Sequence, residues 1–146
     1  MCRTCFLFLM AVMVLSCEDQ QQVPVFHPSH EVSRANVPFS DAVETENLLF
    51  LTGQIGKDHK LGRLVEGGIT AETQQVILNI QDVLKQHQLS LDHVVKCTVI
   101  LKDINDFSEF NAVYKQYFTN KPARTTFAAV GLAGGACIEI DVVAVK

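Results

Sequence analysis

Residues 94–118 read VVKCTVILKDINDFSEFNAVYKQYF, and the fold follows from this stretch. Val94 to Leu101 is rich in β-branched residues and predicts a strand. Asp106-Phe107-Ser108-Glu109 then has the form of a capping box, with Asp106 as N-cap and Glu109 reaching back from the third helical position. It opens an amphipathic helix whose apolar stripe is Phe107, Phe110, Val113/Tyr114 and Tyr117/Phe118, stopped by Pro122. A strand that feeds directly into a one-sided helix calls for a sheet with a helix packed on it.

Upstream, Val76, Ile77, Ile80, Val83 and Leu84 repeat at helical spacing, with Thr70 placed to cap the start. Before that helix, Ser40–Val43 and Asn47–Gly53 read as a tight hairpin, and Gly62 and Gly67-Gly68 punctuate a second turn region. Downstream, Arg124–Val130 and Cys137–Val145 read as two strands joined by the Gly-rich Gly131–Ala136, which would make a hairpin if they pair with each other. The order β-β-(β)-α-β-α-β-β is that of a two-layer α/β sandwich with both helices on one side of the sheet. Neither face of the last two strands is convincingly polar. The uncovered face therefore needs a partner, and for a chain this size that points to a homo-oligomer.

The chain has 146 residues, 48% hydrophobic and 19% charged, with a formal net charge of -4. This supports a single domain and excludes a disordered chain. The acidic balance and the lack of a Lys/Arg cluster argue against nucleic-acid binding. At the N-terminus, Arg3 precedes an apolar run from Cys5 to Leu15 that reads as a secretory signal over residues 1–16, too short for a folded span. Val14-Leu15-Ser16-Cys17 has the form of a bacterial lipobox, which would make Cys17 a lipidation site; the alternatives are an ordinary cleaved signal or a misassigned start codon, with Cys17 incidental. Residues 17–30 then form the lipidated cysteine and a tether, and 31–146 the domain. The expected location is the periplasm or an anchored lipoprotein, with the membrane touched only through the lipid on Cys17. Cys97 and Cys137 lie in apolar runs and read as free thiols.

No metal site is expected, because His27 and His30 have no third ligand nearby in sequence. Two ionisable residues stand out. Arg124 opens a strand beside small or uncharged neighbours; it is either a solvated strand end or ion pair, or a guanidinium fork set for a carboxylate. Glu139 interrupts an apolar strand and is either exposed or placed to orient a water or a proton. In such a hairpin they are offset by about four residues, or ~13 Å, so they converge only through a bent sheet, a ligand or a neighbouring subunit.

An ordered set of strings adds to this reading. Val37–Val43 (VPFSDAV) is similar to the family string GPYSQAV, and Asn47–Ile55 (NLLFLTGQI) to the NLVFVSGQI that follows it. Asp103–Tyr114, Pro122–Thr126 and Ile138–Asp141 come in matching order and spacing. From about Pro24 to Val145 the chain resembles the RidA/YjgF family of reactive intermediate deaminases. The resemblance implies a chorismate-mutase-like mixed sheet and a trimeric barrel-like assembly with a cleft at each subunit interface. It implies hydrolysis of enamines and imines of the 2-aminoacrylate/2-iminopropanoate type to 2-keto acids and ammonia, with no cofactor and no metal. Carried over position by position, Arg124 would bind the substrate carboxylate and Glu139 would place or deprotonate the attacking water. Thr52 and Gly53 would offer backbone contacts, Asn111 a hydrogen bond, and Thr126 a place beside Arg124. Phe39 stands where many members have Tyr, so a hydroxyl that could meet the ligand is missing. Leu132-Ala133-Gly134-Gly135 replaces the usual Leu-Pro turn, and the export signal is a third departure. The competing reading is a non-catalytic trimer that binds small carboxylates or stabilises partner proteins.

Overall fold

The computed structural model describes residues 23–146. The expected signal segment 1–16 and the lipidation site Cys17 lie outside the described residues. Among the described residues, no helix is long and apolar enough to cross a membrane.

One mixed sheet carries the molecule. Its strands are β1 (Val25–His27), β2 (Ala42–Glu44), β3 (Leu48–Ile55), β6 (Val94–Leu101), β7 (Ala123–Ala128) and β8 (Ile138–Val145), in the order β1-β2-β3-β8-β6-β7. A small hairpin of β4 (Lys57–Asp58) and β5 (Arg63–Leu64) stands apart from it. Helices α1 (Gly68–Gln86) and α2 (Phe107–Tyr117) lie side by side on one face. Alternation along the strands builds the core. Cys97, Val99 and Leu101 of β6 and Ile138, Ile140, Val142 and Ala144 of β8 are buried against the α1 stripe Val76, Ile77, Ile80, Val83 and Leu84. The expected two-layer α/β architecture is thus present, with the β2–β3 hairpin where the sequence puts it.

Several local expectations change. β1 pairs with β2 inside the stretch 17–30 read as a tether, so the sheet begins at Val25. Thr70 does not cap α1. The helix starts at Gly68, after Gly67 at φ 118, and the Thr70 hydroxyl instead donates to Glu109 Oε1 at 2.5 Å. Glu109 therefore does not close a capping box, and Asp106 makes no side-chain cap. A 3-10 turn at Ile104–Asp106, capped by the Asp103 carboxylate on the Asn105 N–H, runs straight into α2 and moves the start one turn earlier.

The largest correction concerns the end of the chain. β7 and β8 do not form a hairpin. β7 pairs in parallel with β6, and β8 lies antiparallel between β3 and β6. The glycines of Gly131–Ala136 carry the chain past β6, with Gly134 and Gly135 at φ 63 and 79, a conformation that residues with a Cβ rarely adopt. This leaves β7 as an edge strand.

The face opposite the helices is uncovered. It presents Val43, Phe50 and Val143 in one register row and Ile100 beside Phe127 in another, with Phe50 42% and Phe127 46% exposed.

Candidate active site

Arg124 and Cys97 are register partners across β7 and β6, so both side chains point to the helix side. There the Arg124 guanidinium carbon sits 5.7, 5.1 and 4.6 Å from the ring centres of Phe107, Phe110 and Tyr114 on α2. Three aromatic faces hold the cation without neutralising it. None of the ion pairs among the described residues involves Arg124. Lys115 and Lys121 line the same shallow hollow of about 350 Å³, so its field favours an anion. Thr126, two residues along β7 on the same side, has a buried hydroxyl oxygen with no partner. Asn111 is half-buried on α2 between Phe110 and Tyr114.

Glu139 belongs to the other face. Its register partner in β6 is Ile100, three residues from Cys97, and an odd offset reverses the side. Burial and then the neighbouring Asp141 charge hold the Glu139 carboxyl above the ordinary glutamate value. Thr52 and Gly53 form a bulge in β3: two residues there face the single Asp141 of β8, between the pairs Leu51–Val142 and Gln54–Ile140. The bulge brings Gly53 under Glu139, and a Cβ at Gly53 would overlap the carboxylate. Thr52 and Phe39 line a groove of about 460 Å³ on this uncovered side, together with Phe26, Val43 and Phe50. The ring of Phe39 also lies under Arg34, 5.5 Å from the guanidinium carbon.

Within one chain the predicted residues therefore form two separate groups. Arg124, Thr126 and Asn111 lie on the helix side near the β7 edge; Glu139, Gly53, Thr52 and Phe39 lie on the open face. Between Arg124 and Glu139 come two strand spacings and three residues, ~14 Å, besides the sheet itself. Sequence reading missed the aromatic platform, because Phe107, Phe110 and Tyr114 at helical spacing are indistinguishable from a core stripe. It also missed the bulge, which has no signal of its own beyond Gly53.

Nearby thiols are inert. Burial pushes the Cys97 thiol up to about 11 despite a hydrogen bond from the Tyr114 hydroxyl at 3.2 Å. Burial, then Glu72, raises Cys137, whose backbone N–H donates to Glu72 at 2.8 Å. Both cysteines are free.

Comparison with known proteins agrees with this architecture. The family model described as endoribonuclease L-PSP matches residues 30–146. A human 2-iminobutanoate/2-iminopropanoate deaminase is 43% identical over 110 residues, covering 75% of this chain and 80% of that protein. A RutC family protein of Pyrococcus horikoshii is 44% identical over 110 residues, 75% of this chain and 87% of its own. The crystal structure of YyfA, a Rid family protein of unknown function from Yersinia pestis, superimposes with a TM-score of 0.79 at 34% identity, covering 85% of this chain and all of that one. With a family match over residues 30–146, from β2 to β8 and across both helices, the chain belongs to the Rid (RidA/YjgF, endoribonuclease L-PSP) family.

Proposed function

We propose that this chain is a hydrolytic deaminase of reactive enamines and imines of the 2-aminoacrylate/2-iminopropanoate type, releasing 2-keto acids and ammonia. It works as a homotrimer, exported to the periplasm or anchored to a membrane through a lipid on Cys17. The observation that carries the activity is Arg124: a guanidinium held on three aromatic rings, with no carboxylate partner among the described residues. Such a group takes a substrate carboxylate bidentately. The deaminase identity of the human relative supports the reaction class.

The division of the site between two faces supports the assembly. Arg124 of one subunit meets Glu139 of the next when the β7 edge of one packs at the open face of the next, which also buries Phe50 and Phe127. The lipid anchor rests on the sequence alone, on Val14-Leu15-Ser16-Cys17 after an apolar run.

An imine carbon is already electrophilic, so the site has only to hold the acid and place a water. Water adds to the C=N carbon while Glu139 takes its proton. Returned to nitrogen, that proton completes a carbinolamine; a second transfer then moves its hydroxyl proton to nitrogen, the C–N bond breaks, and ammonia leaves as the keto carbonyl forms. A carboxyl raised by burial is suited to both transfers.

The test is keto-acid release from freshly generated 2-iminopropanoate. The wild type should accelerate it, and Arg124→Ala should lower kcat/KM by about 100-fold or more, the loss of two charge-assisted hydrogen bonds. Saturable keto-acid binding without turnover on any imino acid would leave the non-catalytic reading standing instead.

A further inference from the structure

His27 in β1, Glu44 in β2 and His87 just after α1 come from places 17 and 60 residues apart in sequence, with respect to His27. Their ligand atoms all lie within 4.8 Å of one another, and all three side chains are half-buried. His27 Nε2 is 2.8 Å from Glu44 Oε2, and the two imidazoles meet edge to face with ring centres 4.5 Å apart. Nothing in the deaminase site uses these groups.

We propose that His27, His87 and Glu44 form a binding site for a divalent transition-metal ion of the zinc type, which clasps the edge strand β1 to the end of α1. Two imidazoles and one carboxylate, with water in a fourth position, are a common ligand set for such an ion. Bonds of ~2.0–2.1 Å hold tetrahedral ligand atoms ~3.4 Å apart, so no pair has to close by more than about 1.4 Å. Half-buried side chains can do this by small rotations. Two hollows of about 260 and 240 Å³ meet at His87, giving the ion and its water a way in.

The end of α1 beside the cluster also favours a cation. His87 is the C-cap of α1, a 19-residue helix whose last carbonyls carry partial negative charge. Lys146 Nζ lies 2.5 Å from Glu44 Oε1 and opposes a second cation there, so the ion would have to take Oε2 as its single carboxylate ligand atom. β1 has most to gain, being three residues long and paired on one side only.

The test uses the full chain freed of metal by chelation and titrated with Zn²⁺, followed by calorimetry and thermal unfolding. One ion should bind per chain and raise Tm by on the order of 5 °C. His87→Gln and His27→Gln should each weaken binding at least tenfold, whereas His30→Gln should bind as the wild type does. Substituted Co²⁺ should give ligand-field bands without a thiolate charge-transfer band. Deaminase activity should survive in His87→Gln, which separates this site from the one holding Arg124. Undiminished affinity in His87→Gln, loss in His30→Gln, a thiolate band, or no binding below millimolar Zn²⁺ would each overturn the proposal.

Discussion

At Arg124 the chemistry of one side chain meets an environment that leaves its charge available. The aromatic platform on α2 fixes the guanidinium while supplying no counter-ion, so any carboxylate that enters is bound by a pre-oriented fork. Glu139 is tuned in the complementary way. Because burial and Asp141 raise it, activity that needs the ionised carboxylate should fall on the acid side with a midpoint above 4.5. Glu139→Gln should remove that limb from the pH–kcat/KM profile. The stability sign is the reverse: a carboxyl raised on folding stabilises below its unfolded value, and that contribution is lost as pH rises through the folded one. Glu139→Gln should therefore not lower Tm at neutral pH. Gly53→Ala tests the same group from beneath. The added methyl meets the end of a flexible side chain, so the protein should fold with Tm nearly unchanged while kcat/KM drops about tenfold or more from a displaced carboxylate. An active Gly53→Ala would remove Glu139 from the reaction. Arg124 and Glu139 are both visible in sequence as charges in apolar strands. The sides of the sheet they occupy are not, since one residue of register reverses a side chain.

Among the elements, the segment before β2 is held by a buried ion pair. Arg34 Nη2 lies 3.0 Å from Asp41 Oδ1, with side chains 11% and 4% exposed, and Arg34 Nη1 donates to Gln54 at 3.1 Å. This ties the turn at Val32–Arg34 to β3 and sets the loop that carries Phe39. Asp41→Ala would leave the cation buried without its partner and should cost about 3–5 kcal/mol in urea unfolding. A cost below ~1 kcal/mol would mean that the loop is held by other contacts. The α1 and α2 stripes and the β2–β3 hairpin were legible, because burial on one side imposes a period. Neighbours in the sheet were not. A Gly-rich loop between two apolar strands is the mark of a hairpin, yet Gly131–Ala136 crosses β6 instead. Alternation records which side of a strand is buried and carries no information about the strand beside it. The capping residues failed for a related reason: Thr70 and Glu109 found each other across two helices, a contact that no local pattern encodes.

For the whole molecule, the uncovered sheet face bearing Phe50, Phe127 and Val143 and the two separate groups of candidate residues are what the proposed trimer would join. In a closed ring every interface is heterologous: one chain supplies the helix-side group and the next supplies the open-face group. The sequence pointed to an oligomer from the composition of the strands and left a neighbouring subunit as one way for Arg124 and Glu139 to meet; the opposite sides they occupy follow from the pairing of β6 with β7 and β8. Complementation measures this directly. Arg124→Ala and Glu139→Gln chains, each strongly impaired alone, are co-expressed in equal amounts and purified as mixed assemblies. Half the interfaces will pair unlike chains, and half of those will join an intact Arg124 to an intact Glu139. Deamination of 2-iminopropanoate should return to about a quarter of the wild-type rate. A mixture no more active than its separate components would contradict the shared site.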